Sequence, residues 1–519
     1  MKHLLFLFII ATLRISTFAQ AFQADNSFGN LNNGRTLFVH KGEWRAIDRQ
    51  GENYIVVGKS EFSNTFFQVI VRFKANGENE DVTTFFSYNM YEGEFFDVAV
   101  AADSTIYACG VKQDSGADEF YLVKFDKNGT KIHEIWLPNN MLSIAYRLKL
   151  LPNHDVLVCG RTSVAGEDRA RVVKLHDDGA AFSLVSTFGT NGIAKIEDAK
   201  EFSFVPGASS FYALTVATNG KIYAAGSYVE RNSSNTAPQP FYTYWKADGT
   251  PDTVVSGYSV TSNQNGLANE VYAIAVRDTN LFSAGYKNVN PKIAADGSVR
   301  ILNDALSNRQ GKNGLPAMVT PLTASQMYMP FSKYYSVVLE NKGAYYFGGS
   351  GDSATGTHVC IGKINSDLEP ETTFNNGSTN YSLPFDTYEQ PSAEMAYDAL
   401  VDIAPNGDES FIIVGSETFH SDGKAHPMIV KVIPRKANGV KDELASEAIT
   451  IYPNPATQMI QIKAEHIQSI CITDLNGKDV FQINNLNTNS YQMDVSALSP
   501  SCYFIRVNEN TPQKLIKTN

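Results

Sequence analysis

The stretch that decides the fold runs from Phe96 to Thr130. It reads Phe96-Asp97-Val98-Ala99-Val100, then Ile106-Tyr107-Ala108-Cys109-Gly110, then Tyr121-Leu122-Val123-Lys124-Phe125-Asp126-Lys127-Asn128-Gly129-Thr130. Three short runs rich in β-branched and aromatic residues are bounded by turn formers, and an Asn-Gly pair closes the third. That is the pattern of consecutive antiparallel strands joined by tight turns. It recurs about seven times along the chain.

Aligning the repeats on the glycine that ends each second strand gives Gly58, Gly110, Gly160, Gly226, Gly285, Gly349 and Gly415, at separations of 50 to 66 residues. Such a period fits one four-stranded unit with variable loops. Inside the unit the register is tighter: a cation follows the glycine by 14 positions at Arg72, Lys124, Lys174 and Lys363. The row continues less regularly at Lys246, Lys292 and Lys431. Only a folded hairpin would hold that spacing while the loops vary. These cations are expected to lie along strand surfaces with their heads in water.

Each unit opens with an aromatic: Trp44, Phe96, Tyr146, Tyr212, Tyr272, Tyr335 and Tyr397. Apolar residues follow at two and four positions, as in Tyr146-Arg147-Leu148-Lys149-Leu150. A period of two puts the aromatic on the same strand face as its aliphatic neighbours, so the aromatics are expected to pack between units. An isolated four-stranded sheet cannot bury two such faces. Radial closure gives every sheet two neighbours and leaves short, protected edges. The expected fold is therefore all-β, a seven-bladed β-propeller, with an open solenoid as the alternative. The segment Thr36-Leu37-Phe38-Val39-His40 precedes the first unit and is expected to supply the outer strand of the last, closing the ring. The glycines are read as points of close backbone approach near the axis.

Composition narrows the partners. With 54 acidic against 43 basic residues the formal charge is -11, and no basic block is present, which argues against nucleic acid. The first residues carry Lys2, an apolar core from Leu4 to Leu13 and small residues around Ala19-Gln20-Ala21, the layout of a secretory signal peptide over residues 1–20. No later segment is apolar for long enough to span a bilayer as a helix, so no transmembrane segment is expected in the mature chain. The five cysteines, Cys109, Cys159, Cys360, Cys471 and Cys502, show no metal-site spacing. Cys109 and Cys159 precede the repeat glycine and are expected to be core thiols, while Cys471 and Cys502 leave a disulfide open.

Segments such as Asn219-Gly220-Lys221-Ile222-Tyr223-Ala224-Ala225-Gly226, and Asp178-Gly179 followed by Ser186-Thr187-Phe188-Gly189-Thr190-Asn191-Gly192, resemble the delta-sixty repeats of bacterial extracellular propellers. The resemblance covers roughly residues 25–433 and implies a propeller without a particular chemistry. After a solvated linker at 434–448, the opening Ile451-Tyr452-Pro453-Asn454-Pro455-Ala456, then Ile472-Thr473-Asp474-Leu475-Asn476-Gly477-Lys478 and Tyr503-Phe504-Ile505-Arg506-Val507, closely resemble the C-terminal sorting domain of type IX secretion in Bacteroidota. Tyr452, Pro453, Asn454, Pro455, Asp474, Gly477, Lys478 and Tyr503 carry that resemblance. It implies a small β-sandwich over 449–519, export across the outer membrane by the type IX machinery via the periplasm, and a secreted or surface-held propeller at 21–433. Ser501-Cys502 before Tyr503 departs from the family's glycine-containing turn.

The residue after each opening aromatic is Arg45, Asp97, Arg147, Ala213, Ala273, Ser336 and Asp398. In a closed ring Asp398 neighbours Arg45, so Asp398, Arg45, Asp97 and Arg147 alternate in sign. They read either as ion pairs that fix the order of the units or as a ligand site at the channel mouth. No nucleophile elbow, HExxH or regular acidic loop occurs. His176-Asp177-Asp178-Gly179 and Glu78-Asn79-Glu80-Asp81 are the candidate Ca²⁺ segments, and no other cofactor is suggested. The function expected is an extracellular binding or adhesion module for a glycan or a protein. A secreted hydrolase or lyase acting on polysaccharide or peptide is the alternative.

Overall fold

In the computed structural model the described residues are 22–29, 34–38, 40–79, 91–114, 117–137, 141–195, 206–230, 238–251, 269–278, 280–288, 293–301, 322–330, 332–340, 343–350, 359–364, 380–383, 391–403, 409–419, 422–434, 450–474, 478–508 and 513–518. The expected signal peptide, residues 435–448 of the linker and Gly477 lie outside them. Two compact units are present, Met1–Arg435 and Lys436–Asn519. Among the described residues there is no α-helix, and so none long and apolar enough to cross a membrane.

The first unit is propeller-like and holds seven antiparallel sheets, in each of which the first three strands pair in chain order. Their first strands are Gly42–Gln50, Gly93–Val100, Ile144–Leu150, Pro206–Val216, Asn269–Arg277, Ser332–Glu340 and Pro391–Ile403. Each first strand touches that of the next sheet, and Pro391–Ile403 touches Gly42–Gln50. Seven apolar clusters separate the sheets, one per junction. Ala46, Val57, Phe95 and Tyr121 lie between sheets one and two, and Trp44, Tyr54, Ile412 and Val414 between seven and one. Burying both faces of every sheet in this way is what the apolar runs demanded.

The turns follow local chemistry. After Phe125, Asp126 accepts the N–H groups of Asn128 and Thr130 through Oδ1, both at 2.8 Å, while Gly129 takes φ 85°, a conformation glycine adopts without a steric penalty.

Sheet seven is completed from the other end of the chain. Its third strand, Ala425–Pro434, pairs with two N-terminal strands, Phe22–Ala24 and Arg35–Leu37. The expectation of Thr36–His40 was right in sheet and overlaps the strand at Thr36 and Leu37, but it missed the first of the two strands. This arm is anchored by Phe22, buried against Tyr345 and Phe411, and by Phe28, which lies beneath Gly77 of sheet one. Arg35 donates to Glu417 at 2.7 Å, and both side chains are almost wholly buried. Burial pushes the Glu417 carboxyl up to about 7, against the pull of Arg35 and with the push of Glu394 opposite it.

One feature recurs in every first strand. The ladder slips by one residue at Trp44/Ala46, Phe95/Asp97, Ala145/Arg147, Phe211/Ala213, Val271/Ala273, Tyr334/Ser336 and Ala396/Asp398. Each slip is a β-bulge, and the extra residue is Arg45, Phe96, Tyr146, Tyr212, Tyr272, Tyr335 or Tyr397. The residue facing each bulge is the repeat glycine, where an added Cβ would lie 1.7 Å from the Met395 carbonyl oxygen at Gly415 and 2.0 Å from that of Glu94 at Gly110. The glycine therefore answers the bulge on the adjacent strand, not crowding at the axis. In sheet six the residue in this position is Gly348, paired with Tyr334, which corrects the alignment on Gly349. With that shift five cations, Arg72, Lys124, Lys174, Lys363 and Lys431, share one ladder position, opposite Ile55, Tyr107, Leu157, Tyr345 and Ile412. Lys246 does not belong to the row, and Lys292 lies outside the described residues. Three of the cations are paired: Lys124 with Asp177 at 2.8 Å, Lys174 with Asp155 at 2.7 Å and Lys431 with Asp402 at 2.9 Å.

The second unit has one three-stranded and one four-stranded antiparallel sheet around a core that includes Ile460, Ile462, Ile472, Tyr503, Ile505 and Leu515. Asn454 holds the entry segment to the last strand, donating to the Lys514 carbonyl at 2.7 Å and accepting from Ile516 N–H at 2.9 Å. Tyr503 donates its hydroxyl to the Ser499 carbonyl at 2.9 Å. Lys478 N–H donates to Asp474 at 3.0 Å across the turn. Tyr452 is half exposed, and Pro453 and Pro455 each follow a cis peptide bond in a bend, not in an extended segment. Cys471 sits opposite Arg506, away from Cys502, and all five cysteines are free thiols. Cys109 and Cys159 are fully buried.

Candidate functional site

The bulges decide what lines the axis. In a regular strand Tyr146 and Arg147 would point to opposite faces; the extra residue brings both to the same side. The aromatic is thereby moved off the face of Leu148 and onto the axis, which overturns the expectation that these rings pack between the sheets. Phe96, Tyr146, Tyr212, Tyr272, Tyr335 and Tyr397 form a continuous collar, with successive ring centroids 5.0, 5.1, 5.7, 4.8 and 5.1 Å apart.

The seventh place is held by Arg45, not Trp44. The Arg45 guanidinium lies 4.2 Å from the Tyr397 centroid and 6.0 Å from that of Phe96, closing the collar by cation–π contact. Trp44 belongs with Phe95, Ala145, Phe211, Val271, Tyr334 and Ala396, which precede the bulge and pack against the preceding sheet. Arg45 is fixed by Glu43 at 2.5 Å and by a short contact with Glu94, and Lys59 reaches the same two carboxylates at 3.6 and 3.2 Å. These charges push its pKa up against the opposing effect of burial. The collar encloses a pocket of about 180 Å³, with Arg147 also in its lining.

The next level down holds Asp97, Arg147, Ala213, Ala273, Ser336 and Asp398, with Asp48 and Lys149 beyond, around a second cavity of about 240 Å³. The expected alternation of four charges at one level therefore fails at Arg45. Its place at this level falls to Ala46, and no ion pair joins Arg147 to Asp97 or Asp398 among the described residues.

The acids act on the backbone instead. Asp97 accepts Leu148 N–H at 2.8 Å, Asp398 accepts Ile47 N–H at 3.1 Å and the Ser336 hydroxyl at 2.9 Å, and Asp48 accepts Val100 N–H at 2.7 Å. All four bonds tie neighbouring sheets: Asp97 joins two to three, Asp398 joins seven to one and, through Ser336, six to seven, and Asp48 joins one to two. Arg147 does the converse, donating Nη1 to the Phe96 carbonyl of sheet two at 2.9 Å and to the Tyr146 carbonyl at 3.3 Å. It forms the partition between the two cavities, since it lines both.

Burial pushes the Asp97 carboxyl up from 3.8 to about 6, with Arg147 and the Leu148 hydrogen bond opposing it; Asp398 and Asp48 are raised by the same cause. A carboxyl whose folded pKa exceeds its unfolded value stabilises the fold below about pH 4, and that contribution is lost as the pH rises through 6. Two pH units correspond to about 3 kcal/mol. Asp97→Asn keeps an acceptor for Leu148 and has no proton to lose. Its melting temperature relative to wild type should therefore rise steadily from pH 4 to pH 7. A difference that stays flat across that window would show that Asp97 is ionised throughout.

Among the described residues no group of three or more His, Cys, Asp or Glu side chains is placed to hold a metal. At the suggested Ca²⁺ loop Asp177 is taken by Lys124 and by the Tyr107 hydroxyl at 2.6 Å, and Asp178 by the N–H groups of Ala180 and Ala181. Glu80 and Asp81 of the other lie outside the described residues.

No curated protein matches the chain. Among solved structures, the polysaccharide lyase Uly1 overlays at a TM-score of 0.44 and 12% identity, covering 77% of this chain and 91% of its own. Sqt1 from Chaetomium thermophilum gives 0.39 and 10%, covering 75% and 84%, and the α-L-arabinanase of Cellvibrio cellulosa with arabinohexaose gives 0.30 and 9%, covering 74% and 90%. Overlays this loose transfer no activity. Residues 450–518 match the family described as secretion system C-terminal sorting domain, which marks the chain for type IX export to the outside or to the outer surface of the cell.

Proposed function

We propose that residues 21–433 form a seven-bladed β-propeller that serves as an extracellular binding module. In this reading residues 1–20 are the signal peptide, 434–448 the linker and 449–519 the sorting domain, and the ligand enters the aromatic collar. One observation carries it: six aromatic rings and Arg45, from seven sheets, converge on a single axial pocket. Concave, mostly apolar sites with a few fixed polar groups are where small ligands bind. Asp97 and Asp398, by contrast, are spent on backbone N–H groups and lie behind Arg147. Arg45 acts in the rim and Arg147 in the floor.

A hydrolase or lyase is the second reading, and one observation favours it: a carboxyl with a pKa of about 6 beside a 240 Å³ cavity is a candidate general acid. The two are separated by testing the exported chain on glycan and protein arrays beside a panel of polysaccharide and peptide substrates. Binding without turnover, weakened about tenfold or more by Tyr335→Ala and unchanged by Asp97→Asn, is expected. Turnover abolished by Asp97→Asn would establish the enzyme instead.

A further inference from the structure

The collar is closed on every side. Its wall is a ring of side chains from all seven sheets, and below it the Arg147 guanidinium spans to the Phe96 carbonyl of the adjoining sheet. A chain molecule cannot thread through such a pocket or lie across its base. Only an end can enter, along the axis.

Size and chemistry narrow the end further. A volume of about 180 Å³ is slightly more than the roughly 150 Å³ known to accommodate benzene, so one six-membered ring fills it. The side walls are aromatic carbon, and the Tyr272 hydroxyl is turned away to Glu270 at 2.6 Å. The polar groups stand at the floor and at one place in the wall. At the floor, Arg147 uses only Nη1 on the protein, and its Nη2 and Nε have no acceptor among the described residues. In the wall the Arg45 guanidinium is held by Glu43 and Glu94, which also meet Lys59. A phenyl group would leave the guanidinium donors unmet, which is unfavourable in a desolvated site. A pyranose presents C–H surfaces to the wall and hydroxyl oxygens to these donors.

We infer that the collar captures glycans end-on, taking the terminal pyranose ring of a chain between its aromatic walls with Arg147 as donor at the floor. This rests on the binding-module reading and specifies its ligand. The test uses titration calorimetry of the exported chain with cello-, manno- and chito-oligosaccharides from disaccharide to octasaccharide. Expected for the series that binds are one site per chain, an affinity independent of length, competition by the free monosaccharide, and loss of binding when the terminal ring is oxidatively opened. Tyr272→Ala should raise Kd about tenfold or more. Affinity that grows with the number of internal units, or survives opening of the terminal ring, overturns end-on capture. A ligand that is not a sugar but still depends on Tyr272 overturns the sugar while sparing the binding site. If no array ligand responds to the collar variants, both fail.

Discussion

Gly415→Ala should leave little folded protein. The Cβ it adds lies 1.7 Å from the Met395 carbonyl oxygen, a backbone atom of the strand that bulges towards it, and neither strand can retreat. Gly415 has no unusual φ, so the effect is steric and not conformational. Overpacking of a core by one group commonly costs 1–3 kcal/mol, and a contact this close against backbone belongs at about 3 kcal/mol or beyond. The control is Gly166→Ala: Gly166 has φ 80° but open space around it, so the loss there is about 1–2 kcal/mol from the left-handed backbone alone. Urea midpoints of the two variants check the ordering. Equal destabilisation would mean that the bulge relaxes at little expense.

Arg35→Met is the second large effect. Its guanidinium is 3% exposed and faces a Glu417 carboxylate that is 0% exposed, so removal strands a charge in the interior. Breaking one partner of such a pair costs about 3–5 kcal/mol. The pH dependence has a definite sign. Glu417 titrates at about 7 in the fold against 4.5 ordinarily, and losing Arg35 raises it further. The deficit of the variant should therefore be greatest above pH 7 and shrink as the pH falls towards 4.5, where the carboxyl is neutral in both states. Replacing both residues, as in Arg35→Met with Glu417→Leu, should recover much of the loss. Chemical denaturation across that pH range decides it, and a deficit that ignores pH would place the role of Arg35 in packing.

Much of this architecture was legible in the residues because the repeat itself is physical: β-branched runs, turn dipeptides and a glycine at fixed spacing dictate a series of like sheets. The closing arm was legible too, since the last unit lacked an outer strand of its own. The collar was not. Tyr146, Leu148 and Leu150 obey a period of two, and nothing in Tyr146-Arg147 marks an inserted residue. The signal lay across the ladder, in glycines that sit inside strands with no turn to make, which is the mark of a bulge opposite. Trp44 was drawn into the wrong row because it is aromatic and stands one residue from Arg45. The Arg35–Glu417 pair bridges 382 residues, and no local pattern reports it. The sorting tail was legible because its short motifs sit on one compact sandwich.

The clasp between Phe22–Leu37 and Ala425–Pro434 makes the two extremities of the unit guardians of one another. A product trimmed of its opening arm by a protease keeps its sheets yet exposes the Ala425–Pro434 edge with its unsatisfied N–H and C=O groups. Such a fragment is poised to recruit a neighbouring copy. The same few residues that complete the last sheet thus cover its edge.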